Sequence, residues 1–379
     1  MAIPKVILRI ETSMAYGRGV LSGIAKYSRV HGPWMFYSEP GGKEASLPEF
    51  KNWGVDGIIA HVTSKKEAQE ILSAGKPVVF KGLEIEGSCC VVSNCEAIGK
   101  IGAEYLLNKG FKNFAFCGYR GNLWSKARAQ SFSNRIAKAG FETYFYEKYN
   151  KNANLTWETE GAILADWIRL LPKPVAVMSC HDVRARHVIE ACRLANCDVP
   201  NEVAVLGVDN DEVFCDLSNP ALSSIELNLE SAGYRAAELL AKLMAGKEIK
   251  ENRVMVEPRR VLTRRSTEGT AVEDKCVVEA LIFIKEHAKE NMQVSDVLNA
   301  VAISRTALQK RFHKAIGASI YDEIRRIRVE QIVRMLLETD MSVSQIAFNL
   351  GFTSIKHISR YFRKQKGMNL SEYRRLHKI

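Results

Sequence analysis

Over roughly the first 265 residues, short apolar runs alternate with longer amphipathic stretches, and after that the pattern changes. The runs Val6–Ile10, Gly57–Ala60, Val78–Phe80, Asn113–Cys117, Ala176–Ser179 and Val203–Val208 have the length and β-branched content of buried strands. Between them, Arg18–Arg29, Glu96–Asn108, Ala127–Ala139, Val183–Ala195 and Leu229–Met244 carry apolar positions at helical spacing. This alternation predicts an α/β domain with a mainly parallel sheet. Ligands of such folds bind beyond the carboxyl ends of the strands, so residues just after each run are site candidates.

Further on, the sequence repeats itself once. The segment from Val294 to Ser304 (VSDVLNAVAIS) is echoed from Val343 to Thr353 (VSQIAFNLGFT). The offset is 49 up to the turn and 50 after it, where Leu308 pairs with Ile358, Phe312 with Phe362 and Gly317 with Gly367. Each copy predicts a short helix, a tight turn and a second helix. In the first copy Val297, Leu298 and Val301 face inward, Ala302 and Ile303 form the turn, and Ser304 caps the second helix. Leu308 and Phe312, four apart, then point back to the core. The second copy uses Ile346, Ala347 and Leu350, then Gly351-Phe352, then Ser354 as cap, then Ile358 and Phe362.

Those inward positions leave Arg305, Thr306, Gln309 and Lys310 facing outward on one second helix. On the other they leave Ile355, Lys356, Ser359 and Arg360, with His357 beside that face. Near the start of a helix laid in a major groove, Arg, Gln, Lys, Thr and Ser reach base edges and phosphates. The plain alternative is two helical hairpins with solvated faces; a repeated capped turn joined to a basic face argues against it. Between the copies, Tyr321 to Thr339 places Ile324, Ile327, Ile332, Leu336 and Leu337 on a helix of about five turns. Such a spacer holds two reading helices so that they can enter successive major-groove segments, roughly 34 Å apart.

Charge follows the same division. The net +11 comprises 19 Lys+Arg against 11 Asp+Glu from Asp274 to Ile379, but only 35 against 32 before it. A basic surplus confined to one domain points to a polyanionic partner. No stretch reaches the ~18 apolar residues of a membrane helix, and the first ten residues lack the core of a secretion signal. The nine cysteines match no zinc spacing and read as mostly buried free thiols of a reducing cytoplasm.

Several strand ends carry polar chemistry. Asn94 follows Cys90-Val91-Val92, Trp124 and Arg128 follow the strand ending at Cys117, His181 and Asp182 follow Ser179, and Asp209-Asn210 follow Val208. Each alone can be a helix cap. Together they supply acceptors, a guanidinium and an aromatic face, a set suited to a neutral polyhydroxylated ligand. The competing class is an enzyme. Gly17-Arg18-Gly19-Val20-Leu21-Ser22-Gly23 nearly spells a dinucleotide fingerprint, with Glu39 about twenty residues on, but Ser22 stands where the last glycine belongs. That variant would be a nicotinamide-dependent, sugar-modifying enzyme fused to a DNA-binding domain, with His181 beside Asp182 as a candidate base. A sugar-independent architectural DNA binder is the third class. No catalytic set, metal cluster or cofactor is expected.

Residues Val277 to Leu376 resemble the AraC-type DNA-binding domain along its whole length. The resemblance rests on Arg311-Phe312, Gly317, Ile346-Ala347, Gly351-Phe352, Tyr361-Phe362-Arg363-Lys364 and Tyr373-Arg374. It implies base contacts from Thr306, Gln309 and Lys310 and from Lys356, Ser359 and Arg360. Ile355 stands where many members carry a polar residue, and there it can touch a thymine methyl. In the first part, Val205 to Asp209, Leu222 to Ile225 and Gly233 to Leu240 resemble the sugar-binding domain of LacI-type repressors and periplasmic binding proteins. That implies two lobes around a cleft lined by Asn94, Arg128, Asp182 and Asp209.

The xylose-operon activators join both parts, and the chain resembles them end to end. The matching stretches are Ala15-Tyr16, Trp124 with Arg128, Asp182 with Ala185-Arg186-His187, Gly207 to Asn210, Ala221 to Ser224 and Arg264 to Thr267. It carries Asn94-Cys95 where those activators have Asp-Asn. The resemblance implies a two-lobed α/β periplasmic-binding-protein-like domain (1–266), a linker (267–273) and an all-α domain with two helix-turn-helix units (274–379). It implies a transcription activator controlled by xylose or a related aldose at Tyr16, Asn94, Trp124, Arg128, Asp182 and Asp209. The implied partners are double-stranded operator DNA, the monosaccharide effector, RNA polymerase and a second copy of the chain, in the cytoplasm and on the nucleoid when DNA is bound.

Overall fold

All six apolar runs form strands, and in the computed structural model they divide between two sheets. The structure describes residues 3–38, 54–146, 157–268, 274–290, 292–316 and 318–377. The chain forms two compact units, Met1–Ala271 and Val272–Ile379.

The first unit is two lobes. One sheet takes β1 (Lys5–Arg9), β2 (Met35–Ser38), β3 (Gly57–His61), β4 (Val78–Lys81), β5 (Cys89–Ser93) and β11 (Arg253–Val256), in the order β11-β5-β4-β3-β1-β2 and parallel throughout. The other takes β6 (Asn113–Cys117), β7 (Thr143–Tyr146), β8 (Val175–Ser179), β9 (Val203–Val208), β10 (Ser223–Leu227) and β12 (Pro258–Leu262). Its order is β12-β10-β9-β8-β6-β7, with only β12 antiparallel. Strands covered by helices on both faces are apolar at every position, and β8 and β9 are buried along their whole length.

In the first lobe α1 (Ala15–His31) packs on α8 (Leu229–Met244), with α2 (Lys65–Leu72) following β3. In the second, α3 (Cys95–Asn108) packs on α4 (Leu123–Ala137), and α5 (Trp157–Leu170) on α6 (Asp182–Leu194); the short α7 (Glu212–Leu217) follows β9. The chain therefore crosses between lobes three times, at Asn94, Asn228 and Glu257. Hydrogen bonds join these crossings: Asn94 N to Val256 O at 3.0 Å and Asn228 N to Glu257 O at 2.8 Å.

Gly17, Gly19 and Gly23 lie inside α1 rather than in a phosphate loop. A Cβ on Gly19 would sit 2.6 Å from Leu229 Cβ, and one on Gly23 2.0 Å from Glu230 O. These glycines bring α1 and α8 into backbone contact, which replaces the dinucleotide reading; Glu39 lies outside the described residues. Thr267, read above as the first linker residue, is fully buried in the first unit and donates to Ser223 Oγ at 2.7 Å. Of the linker, 269–273 lie outside the described residues.

The second unit holds two small cores. Val277, Leu281 and Ile284 of α9 (Lys275–Glu286) join Val297 and Val301 of α10 (Val294–Val301) and Leu308 and Phe312 of α11 (Arg305–Ile316). The other joins Ile346 and Ala347 of α13 (Val343–Asn349), Ile358 and Phe362 of α14 (Ile355–Lys366) and Leu370 of α15 (Leu370–His377). The spacer α12 (Ile320–Glu338) serves both, giving Ile320, Ile324 and Ile327 to the first core and Val329, Ile332 and Leu336 to the second. At about 28 Å it is as long as the pattern demands.

The inserted residue is visible at the turns. Ala302 (φ 52°) and Gly351 (φ 68°) hold equivalent left-handed positions, and the second turn runs one residue longer before its cap. Gly317, paired with Gly367 in the repeat, lies outside the described residues.

Candidate functional site

The carboxyl ends of both sheets face each other across the interlobe cleft, and most of the strand-end residues gather there. Arg128, on the first turns of α4, is 3% exposed. Its Nη1 donates to Cys180 O at 2.5 Å, its guanidinium lies 5.1 Å from the Trp124 ring centroid, and its Nη2 stands 4.0 Å from Asp209 Oδ1. Arg128 Nε and Asp209 Oδ1 are buried with no hydrogen-bond partner among the described residues. Such groups are costly to bury unmet, so their hydrogen-bonding capacity is available to a ligand.

Asp209 also has a constrained backbone. Its φ of 102° is left-handed, a conformation costly for a residue with a Cβ and concentrated at functional sites. Asp209 N donates to Ile225 O at 2.9 Å, and Asn210 N donates to Ser224 Oγ at 3.0 Å, which holds the turn. Burial pushes the Asp209 carboxyl up to about 6, against the opposing pull of Arg128 and Lys81.

From the first lobe, Tyr16 reaches the same space. Its hydroxyl pairs with Ser93 Oγ at 3.1 Å, and burial pushes the phenol up to about 12, with the charges of Asp209 and Arg128 felt across the cleft. Lys81, at the end of β4, is 7% exposed and holds its ammonium 4.4 Å from the Tyr16 ring centroid. The strand run ends at Phe80, and nothing in its pattern marks the next residue as buried; the available signal was its place at a strand end, like the others.

Trp124, His181 and Tyr119 make an aromatic wall on the second lobe. Trp124 stacks on His181 at 5.7 Å, and Tyr119 meets both edge-on. His181 caps α6, its Nδ1 accepting from Arg184 N at 3.0 Å. Burial, reinforced by Arg128, pushes the imidazole down to about 3. A ring held neutral with Nδ1 already accepting carries its proton on Nε2, which makes it a donor and not a free base.

Two candidates are placed differently from expectation. Asn94 Oδ1 accepts from Ala97 N at 3.0 Å to cap α3, and its Nδ2 donates to Glu257, so its amide is committed to the hinge. Asp182 is 2% exposed, and both oxygens are taken, Oδ1 by Ser224 Oγ at 2.5 Å and Oδ2 by Asp211 N at 2.7 Å. Burial raises its carboxyl well above the usual range. Gly207 makes room for it, since a Cβ there would lie 2.2 Å from Asp182 Oδ1. Asp182 is thus a scaffold for Asp211, which sequence reasoning missed. Asp211 Oδ2 accepts from Ala15 N and from Arg18 Nη2, both at 2.8 Å, and so joins the second lobe to the start of α1.

The second unit presents its own surface. Arg305, Thr306, Gln309 and Lys310 are exposed on α11, as are Ile355, Lys356, His357 and Arg360 on α14, with Ser359 half-buried beside them. The inward partners Leu308, Phe312, Ile358 and Phe362 are fully buried, which fixes the outward faces. Ser304 Oγ accepts from Ala307 N at 3.4 Å and Ser354 Oγ from His357 N at 3.2 Å, so both helix starts are capped as the repeat predicts. Arg328, buried in α12, donates to Leu350 O at 2.8 Å and stacks over Phe352, tying the second turn to the spacer. No described helix is long and apolar enough to cross a membrane.

Comparison with known proteins gives a family match in each unit. A family model described as a periplasmic binding protein-like domain matches residues 103–267, and one described as a helix-turn-helix domain matches residues 297–376. The chain is 30% identical over 384 residues to the xylose operon regulatory protein of Escherichia coli (strain K12), covering 98% of this chain and 96% of that protein. It is 27% identical over 388 residues to the protein of that name from Haemophilus influenzae, covering 98% of each. A solved structure of a xylose-binding transcription activator matches over 100% of both chains at a TM-score of 0.77 and 28% identity. A LacI-type regulator from Alkaliphilus metalliredigens QYMF, complexed with D-xylulofuranose, matches 70% of this chain and 99% of that one at a TM-score of 0.58. At 19% identity it shows the fold alone.

Proposed function

The chain belongs to the family of xylose operon regulatory proteins, DNA-binding transcription regulators with a sugar-binding domain, and from that premise we propose that it is an activator switched by a monosaccharide in the interlobe cleft. The first effector to consider is xylose or a related aldose. Arg128, Asp209, Trp124 and Tyr16 contact it, while Asn94 and Asp182 hold the hinge and the scaffold. The observation that carries this reading is the unmet hydrogen-bonding capacity of Arg128 Nε and Asp209 Oδ1, buried beside an aromatic wall. Donor, acceptor and ring face are what a sugar needs.

The same strand ends lead to the exit of the domain. Arg264 Nη1 donates to Asn210 Oδ1 and to Leu222 O, both at 3.0 Å, and Ser266 Oγ donates to Val205 O at 2.6 Å. A shift at Asp209-Asn210 therefore moves the segment that leads to the DNA-binding unit. There, Arg305, Thr306, Gln309 and Lys310, with Ile355, Lys356, His357, Ser359 and Arg360, face operator DNA. The regulator acts as a homodimer in the cytoplasm and recruits RNA polymerase.

Calorimetric titration of xylose and related aldoses, with and without operator DNA, tests the reading. Sugar and DNA are expected to change each other's affinity by the same factor. Absence of binding by any monosaccharide refutes the sensor.

A further inference from the structure

Lys81, the last residue of β4, is a buried cation whose donors are open. Its ammonium lies 4.4 Å from the Tyr16 ring centroid, and the residue is 7% exposed. Among the described residues the ammonium makes no hydrogen bond and no ion pair. The carboxylates of Asp209 and Glu11 both face it, and Glu11 keeps its charge while it accepts from Ser13 N at 2.8 Å. Together with Arg128 these charges balance, so charge by itself favours no class of ligand. What is unmet is hydrogen bonding. An ammonium carries three N–H donors, and a ring face answers its charge but supplies no oxygen to them. Buried donors left open are costly, so the cleft is incomplete at this point.

The lobe to which Lys81 belongs gives this its meaning. Arg128, Trp124 and Asp209 all stand on the second lobe. A sugar held by them alone meets the same partners wherever the first lobe stands. A ligand shifts an equilibrium only through contacts that differ between the two states, so such a sugar would bind without moving the lobes. The free energy that draws them together has to come from first-lobe groups in the cleft. Arg9 is held by Glu67 at 2.7 Å and Arg18 by Asp211 at 2.8 Å. Tyr16 offers its ring, its hydroxyl being paired with Ser93 Oγ at 3.1 Å. Of these first-lobe groups Lys81 alone has no polar partner among the described residues, and it faces Asp209 from the opposite lobe.

We propose that Lys81 is the closure residue of the sensor: a sugar seated on Arg128, Asp209 and Trp124 presents an oxygen to the Lys81 ammonium, and that contact ties sugar binding to the position of the first lobe. Lys81 then governs the response to the sugar more than its binding. The inference rests on the cleft being the sugar site proposed above.

The test uses the full chain as wild type, Lys81→Met, Lys81→Leu and Lys81→Arg, each checked for fold by circular dichroism. D-xylose, L-arabinose, D-ribose and D-glucose are titrated by calorimetry. Small-angle scattering follows the radius of gyration at saturating sugar, and operator binding is measured with and without sugar. In the wild type the tightest of these sugars contracts the chain and changes operator affinity by about 5–150-fold. In Lys81→Met the same sugar binds about tenfold more weakly, yet at saturation it neither contracts the chain nor shifts operator affinity. Lys81→Leu repeats this result and decides the matter if Lys81→Met does not fold, while Lys81→Arg keeps part of the response. Contraction and full coupling at saturation in the donor-free variants overturn the inference, because Lys81 then only supports its lobe. Complete loss of sugar binding in them overturns it too, since the second-lobe seat is intact. A wild type that binds a sugar without contracting overturns the inference and leaves the sensor standing. If the wild type binds none of these sugars, the sensor reading beneath it falls.

Discussion

Asn94 and Glu257, 163 residues apart, join two of the three interlobe crossings through one side-chain contact. Asn94 Nδ2 donates to Glu257 Oε2 at 2.9 Å and to Oε1 at 3.1 Å. The same Asn94 caps α3 through its Oδ1. An amide spent in both directions works for the hinge, so its replacement acts on stability rather than on ligand contact. Asn94→Ala is expected to cost about 1 kcal/mol from the lost cap. Thermal melts with and without saturating effector check this. The sugar-free midpoint drops while the ligand still raises it; a vanished ligand shift would return Asn94 to the binding surface.

Asp211 supplies the direct contact between the lobes, and it is expected to govern closure. Asp211→Ala leaves Ala15 N and Arg18 without their shared acceptor, and both bonds measure 2.8 Å. Because these two bonds hold the second lobe to the start of α1 in the described arrangement, their loss is expected to lower effector affinity by about tenfold. Calorimetry measures it, and an unchanged Kd would mean the contact does not report closure.

Much of this was legible in the sequence, for physical reasons. Strands buried on both faces, such as β8 and β9, must be continuously apolar, and the two helix-turn-helix cores repeat the same inward positions. The edge strands β2 (MFYS) and β7 (TYFY) and the charged β12 (PRRVL) are only partly covered, so no apolar run announces them. At the site, residue type and place at a strand end were enough to find Arg128 and Asp209. They could not show which polar groups were already spent. Asn94 and Asp182 are satisfied by partners far away in the chain, Glu257 and Ser224, and Lys81 is buried against Tyr16, 65 residues before it.

Arg264 is expected to transmit the signal without touching the ligand. It bonds Asn210, next to Asp209, and Leu222, at the point where the chain leaves the lobe. Arg264→Gln should leave effector affinity within about threefold while the coupling between effector and operator shrinks toward none, typical couplings being about 5–150-fold. Operator binding measured with and without effector separates the two, and full coupling in the variant would rule out this route.

Effector affinity should follow a bell in pH. Asp209, faced by Arg128, Lys81 and Asp211, is pushed up to about 6, so its acceptor is lost as pH falls through that value. Lys81, faced by Asp209, Glu11 and the Tyr16 ring, is pushed down by burial to about 8, so its ammonium is lost as pH rises past it. His181, pushed down to about 3, stays neutral throughout and adds no limb. Titrations from pH 5 to 9 are expected to show both limbs, with Lys81→Met removing the alkaline one alone. An affinity flat across this range would exclude both groups from the contact.

The exposed faces of α11 and α14 should divide into readers of sequence and holders of backbone. Gln309 is exposed near the start of α11, where an amide can pair with adenine in two directions. Gln309→Ala is expected to cost about 1–3 kcal/mol on the operator and to relax preference at one base pair, with little change on random DNA. Lys364 is exposed two turns beyond Lys356 on α14, in its basic last turn, and is expected to hold phosphate rather than to read bases. Lys364→Ala should weaken all sequences alike and lower the salt dependence by about one counterion. Binding to operator and random DNA across a salt series distinguishes the two, and equal losses on both DNAs for both variants would undo the division.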